Sequence, residues 1–212
     1  SKPLKIIILK KMQKILFTII LISSGLAAKA QTAEEYFNKG YLKDELNDFK
    51  GAIAEYTKSI NIDSNDANTY YNRGVSKRNL KDFKGAIADY TKAIELDPNK
   101  IEAYNNRGLS QGTLKNFEGA ILDFTKATEI DPNYANAYYN RGLAKAVLKD
   151  YSGALVDYSK ALDISPNAGD AYYNRGLSKY RLGDLPGACQ DARKAQELGY
   201  NASNRFINTE CN

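Results

Sequence analysis

The fold class that the sequence predicts is all-α: a solenoid of five consecutive 34-residue helical hairpins, followed by a short C-terminal capping helix. Three residue series in one register predict it. Asn38-Lys39-Gly40 returns as Asn72-Arg73-Gly74, Asn106-Arg107-Gly108, Asn140-Arg141-Gly142 and Asn174-Arg175-Gly176. Gly51-Ala52 returns as Gly85-Ala86, Gly119-Ala120, Gly153-Ala154 and Gly187-Ala188. Pro98, Pro132 and Pro166 keep the same step. The repeats that follow are 33–66, 67–100, 101–134, 135–168 and 169–202, with 203–212 as the cap; repeat positions run from 1 to 34.

Each element has a local cause. Residues 12–30, MQKILFTIILISSGLAAKA, place Lys14 before an apolar run from Ile15 to Ile22, then Ser23-Ser24-Gly25 and the small residues of Ala28-Lys29-Ala30. That is the layout of a cleavable export signal over 1–30, with Gln31 as first mature residue and residues 1–11 upstream of a candidate start at Met12. The alternative is an uncleaved anchor, but the run is shorter than the roughly 20 residues a spanning helix needs. Within each repeat, positions 4, 8 and 11 share one helical face, as do 20, 24 and 27. Gly at 8 and Ala at 20 leave little bulk between the two helices, so close packing is expected. Asp48, Asp82, Asn116, Asp150 and Asp184 stand where the second helices begin, as N-caps. Asp97-Pro98-Asn99 and Asp131-Pro132-Asn133 end second helices, because proline cannot continue them. One hairpin cannot bury its apolar stripe alone; stacking five makes a continuous core. The last repeat departs from the pattern, with Ala192 at position 24, Gln196 at 28 and Tyr200 at 32, and its outer face is expected to meet solvent.

On these residues the chain resembles the tetratricopeptide-repeat (TPR) family, whose pattern is an aromatic at 4, Gly at 8, Ala at 20, an aromatic at 24, Ala at 27 and Pro at 32. Tyr70, Gly74, Ala86, Tyr90, Ala93 and Pro98 match it. The resemblance covers residues 33–202. It implies a right-handed α-solenoid whose first helices line a concave groove through positions 2, 5, 6, 9, 12 and 13, and a non-enzymatic role in binding a protein or peptide. Family members that grip chaperone tails use Lys at 5 and Asn at 9. Here position 5 is Phe37, Tyr71, Asn105, Tyr139 and Tyr173, so that clamp does not transfer.

Composition narrows the chemistry. Histidine is absent, which removes the commonest general base and metal ligand, and with them serine triads and histidine-based zinc sites. No cofactor, metal site or enzyme activity is expected. The formal charge of +5 misleads, because residues 1–30 hold six lysines and no acid. The remainder carries 24 basic and 25 acidic residues, a balance that does not favour nucleic acid.

Two ladders are candidates for function. Arg73, Arg107, Arg141 and Arg175 hold position 7, and Asp89, Asp123, Asp157 and Asp191 hold position 23. In the first repeat both change together, to Lys39 and Glu55. An unpaired charge beside the buried face would be costly, so a partly buried ion pair is expected inside each hairpin. The rival reading is a basic ladder for acidic partners. At position 6 stand Asn38, Asn72, Asn106, Asn140 and Asn174, beside the aromatics of position 5. An Asn amide donates to and accepts from a peptide backbone at once, so Tyr71, Asn72, Asn106, Tyr139, Asn140, Tyr173 and Asn174 are the expected peptide-binding groove; the competing reading is that these amides bond only their own neighbours. Position 9 (Tyr41, Val75, Leu109, Leu143, Leu177) and position 12 (Asp44, Arg78, Gly112, Ala146, Tyr180) make the groove's centre small and apolar.

Cys189 and Cys211 are the two cysteines. In an exported chain a pair favours a disulfide, which would pin the cap; a redox or metal pair is the alternative. The ending also resembles that of exported bacterial TPR proteins. The sequence-level expectation is thus an exported, periplasmic or secreted bacterial scaffold, with no membrane span after signal cleavage, acting as a monomer or within a hetero-complex. The alternative is a structural, self-associating subunit of an envelope assembly.

Overall fold

The computed structural model describes residues 32–211; the expected leader of residues 1–30 lies outside them. Among the described residues there are eleven helices and no strand: α1 over 32–45, α2 Phe49–Ile62, α3 Ala67–Asn79, α4 Phe83–Leu96, α5 Ile101–Thr113, α6 Phe117–Ile130, α7 Ala135–Val147, α8 Tyr151–Ile164, α9 Gly169–Arg181, α10 Leu185–Glu197 and α11 Ser203–Glu210. The helices α3, α5, α7 and α9 each pack on the next one as a hairpin, α1 meets α2 through Phe37 on Tyr56 and the Ser59 hydroxyl on the Ala33 carbonyl, and each even helix packs on the helix that follows it. The result is an all-α solenoid. None of the described helices is long and apolar enough to cross a membrane.

The turns inside the hairpins are set by two residues. The caps at Asp48, Asp82, Asn116, Asp150 and Asp184 each accept from the backbone N–H three residues on, at 2.9 to 3.1 Å. The residue before each cap is left-handed: Asn47, Lys81, Lys115 and Lys149 at φ of 59° to 65°, and Gly183 at 89°. Only Gly183 adopts that conformation without the steric penalty of a Cβ.

Packing between the two helices of a hairpin turns on position 8. A Cβ on Gly74 would lie 2.7 Å from the Tyr90 ring, and the same holds for Gly108 against Phe124. The glycine therefore makes room for the position-24 aromatic, while Ala at 20 is fully buried beneath it. These rings and alanines repeat along the molecule as one core: Tyr56, Tyr90, Phe124 and Tyr158 with Ala52, Ala86, Ala120 and Ala154.

The last hairpin corrects one expectation. Its alanine at position 24, Ala192, is not turned to solvent but is 1% exposed. Two features cover the space a ring would fill. Tyr200 packs against Tyr173 in a tilted contact with ring centroids 5.3 Å apart, much as Tyr90 and Tyr158 meet Tyr71 and Tyr139. And α11 folds back on α10, held by the Cys189–Cys211 disulfide, by an edge-on contact of Phe206 with Tyr180, and by the Tyr180 hydroxyl donating to Glu210.

Candidate functional site

The two ladders occupy different faces of the first helices. Arg73, Arg107, Arg141 and Arg175 each grip one carboxylate with two nitrogens. Their Nη2 atoms donate to Asp89, Asp123, Asp157 and Asp191 at 2.6 to 2.7 Å, and their Nε atoms to the second oxygens at 2.8 to 3.0 Å. The aspartates are 1% to 5% exposed. Each guanidinium also lies over the position-4 tyrosine, 5.2 to 5.6 Å from the ring centroid of Tyr70, Tyr104, Tyr138 or Tyr172. The hydrogen bonds to aspartate hold the Arg107 and Arg175 guanidiniums still more firmly protonated than usual.

Two partners of this ladder escaped the sequence reading. The remaining nitrogen, Nη1, crosses to position 25 of the preceding hairpin: Thr57, Thr91, Thr125 and Ser159 at 3.0 to 3.4 Å. The arginine thus joins hairpins as well as closing one. Lys77, Lys145 and Lys179 add a second cation to Asp89, Asp157 and Asp191. In the third hairpin Gln111 replaces that lysine, and its Oε1 is buried without a partner. The hydroxyls recur with the same step, so the repeat period itself carried the signal.

The first hairpin departs from the expected pairing. Lys39 pairs with Glu35 at 3.2 Å, and Glu55 with Lys58 at 2.9 Å, each along its own helix. Glu is one methylene longer than Asp, and Lys lacks the planar fork that reaches a carboxylate from across the hairpin.

The asparagine ladder faces the groove and is largely used by the fold. The Asn106 amide donates to the Tyr71 hydroxyl at 2.9 Å, Asn140 to Asn105 Oδ1 at 3.0 Å, and Asn174 to the Tyr139 hydroxyl at 3.0 Å. Each bond runs from position 6 of one hairpin to position 5 of the hairpin before it. Phe37 offers no acceptor, and Asn72 has no such bond. Burial pushes the Tyr71 and Tyr139 phenols up from their ordinary value. Among the residues expected to form the groove, Asn106, Asn140 and Asn174 therefore also join hairpins, as do Tyr71 and Tyr139, which accept from Asn106 and Asn174. Tyr173 is likewise engaged, by Tyr200.

The open part of the groove lies one turn further along the first helices. A cavity of about 260 Å³ sits between α5 and α7, walled by Leu109, Gly112, Leu143 and Val147, with Phe124 as floor. A second, of about 310 Å³, sits between α7 and α9, walled by Leu143, Val147, Leu177 and Arg181, with Tyr158 beneath. They share Leu143 and Val147 and so form one apolar surface. A Cβ on Gly112 would meet nothing within 4 Å, so the missing side chain widens the first cavity. Position 13 was expected to line the groove, but its residues Val147 and Arg181 were not singled out as site residues, and neither was the Phe124 floor. What positions 9 and 12 share at the groove's centre was the available clue.

Comparison with known proteins places the chain. The family described as "Tetratricopeptide repeat" matches residues 67–100, and that described as "TPR repeat" matches residues 40–80, 113–146 and 148–183. The chain belongs to the tetratricopeptide-repeat family, a family of helical scaffolds for protein–protein interaction. No curated protein matches it closely enough to count as a relative. Among solved structures it resembles MamA, at 28% identity over 82% of this chain and 95% of that one, with a TM-score of 0.75. It is also similar to MamA from Desulfovibrio magneticus RS-1 (23% identity, 79% and 95% covered, TM-score 0.75) and to YrrB, described as a TPR protein with an unusual peptide-binding site (22% identity, 83% and 91% covered, TM-score 0.71).

Proposed function

We propose that this chain is a non-enzymatic docking module that takes a segment of a partner protein into its concave groove, outside the cytoplasm. The observation that carries the reading is the pair of adjoining apolar cavities around Leu143 and Val147. Apolar concavity with a few convergent polar groups is how proteins receive ligands, and these cavities open on the first-helix face rather than inside a hairpin. The tyrosine–asparagine joints give that face a rigid backing, which lowers the ordering cost of binding.

Export is supported by the leader pattern of residues 12–30 and by the Cys189–Cys211 bridge, since disulfides persist where the environment is oxidising. The periplasm or the medium both fit. The covered last hairpin favours a discrete protein over open-ended stacking at that end.

Crosslinking in the intact cell envelope, followed by identification of the captured protein, tests the reading when repeated with Leu143→Glu. The substitution puts a charge between the two cavities without touching the buried core. The adduct is expected to disappear while helical content and thermal stability hold. An adduct of unchanged yield would remove the groove from the account.

A further inference from the structure

Resting on that reading, we infer the chemistry of the occupant: an acidic–aliphatic segment of a partner protein, with aliphatic side chains in the two cavities and a carboxylate held by Arg181, a second one reaching Arg78. The first helices carry six arginines. Four are the ladder, each closed on a buried aspartate. The other two, Arg78 and Arg181, have neither an ion pair nor a side-chain hydrogen bond among the described residues, although ion pairs are frequent elsewhere on this molecule.

One lines a cavity and the other shares its register. Arg181 walls the second cavity beside Val147 and Leu177. Arg78 holds position 12, the register at which Gly112 and Ala146 line the two cavities. Two carboxylates of the flanking elements are engaged by hydroxyls. Asp44, at the same register one hairpin earlier, accepts from Ser76 at 2.7 Å and from Tyr56 at 2.9 Å. Glu210 accepts from Tyr180, next to Arg181 in sequence. Hydroxyls thus hold Asp44 and Glu210, and neither acid pairs with Arg78 or Arg181. A guanidinium presents a planar fork that matches a carboxylate with two parallel bonds, and apolar walls such as Val147 and Leu177 strengthen that attraction relative to bulk water. The second cavity of this aliphatic slot thus carries an unused carboxylate receptor in Arg181, and Arg78 offers another from the register of Gly112 and Ala146, in the hairpin before the first cavity.

The experiment selects peptides from a random phage-displayed library on the full chain, on Arg181→Gln and on Leu143→Glu, each first checked for native helical content. Selected peptides are expected to carry two aliphatic residues with Asp or Glu close by. A synthetic copy of one should bind Arg181→Gln about tenfold more weakly, the size of a lost charge-assisted hydrogen bond. Replacing its acid with the amide should cost about the same on the wild-type chain and nothing further on the variant. Peptides without enriched acids, or equal binding to Arg181→Gln, overturn this inference and leave the groove reading standing. No selected peptide, or peptides whose binding Leu143→Glu leaves unchanged, removes both.

Discussion

Asp157 is 1% exposed and is held by both Arg141 and Lys145. Removing its charge strands two cations against a buried wall, where losing one partner of a buried pair costs about 3 kcal/mol or more. Asp157→Asn keeps the shape and is expected to lower the unfolding free energy measured in urea by that order; a change within a few tenths of a kcal/mol would show that solvent, not the carboxylate, satisfies Arg141. The tyrosines carry a second residue-scale consequence. Burial pushes the phenols of Tyr56, Tyr90, Tyr139 and Tyr158 well above their ordinary value, and for Tyr56 the hydrogen bond to Asp44 adds to it. The fold favours their neutral form, so their contribution is fully present below about pH 10 and lost as pH rises beyond it. Phenolate absorbance should therefore show exposed tyrosines titrating first and these four only as helical signal collapses. A single transition of all 16 tyrosines with helices intact would contradict the burial argument.

At the scale of an element, α11 is the informative piece. It has eight residues, below the length at which a helix is stable by itself in water. Contacts with α10 and Tyr180 and the disulfide hold it in place. The bridge closes a loop over a separation of 22 residues, worth about 3 kcal/mol if stabilisation is entropic. In Cys211→Ser, or under reductant, amide hydrogens of α11 are expected to exchange fast while α3 to α8 keep their protection. Unchanged protection of α11 would mean that Phe206 and Tyr200 suffice. The second helices α2, α4, α6 and α8 show the opposite balance: long, capped by Asp or Asn, and fixed at position 24 by a ring against a glycine, they carry no covalent tie.

The whole molecule is quasi-one-dimensional, so stability is a sum over hairpins and their interfaces. The ends are unequal. The C-terminal end is covered by α11 and pinned by the disulfide. The N-terminal hairpin has a neighbour on one side among the described residues, and its Lys39 and Glu55 pair along their own helices rather than with each other. Opening is expected to begin there: in native-state hydrogen exchange α1 and α2 should lose protection before the hairpins that follow. Uniform exchange across all five hairpins would overturn this. The same asymmetry leaves the cavities at Leu143 in the best-supported stretch of the solenoid, where a groove can stay preformed.

Much of the fold could be read directly, because a 34-residue period writes each structural requirement several times. Gly74, Tyr90, Asp82 and Pro98 recur in kind because every hairpin meets the same steric and hydrogen-bonding demands, and the partners of Arg141 and Arg175 follow from the cost of a buried charge. The groove was legible only in part. Asn106 and Tyr71 look alike as ligand-binding or as joint-forming residues, since an amide donor serves either purpose; their 2.9 Å contact across two hairpins decides for the joint. The fate of Lys39, the ring that Tyr200 supplies in place of the missing one at Ala192, and the freedom of Arg78 and Arg181 were likewise decided by tertiary structure. Periodicity determines what every repeat shares, but a pairing depends on which side chains come within about 3 Å of one another, and that distance exists only once the hairpins have stacked.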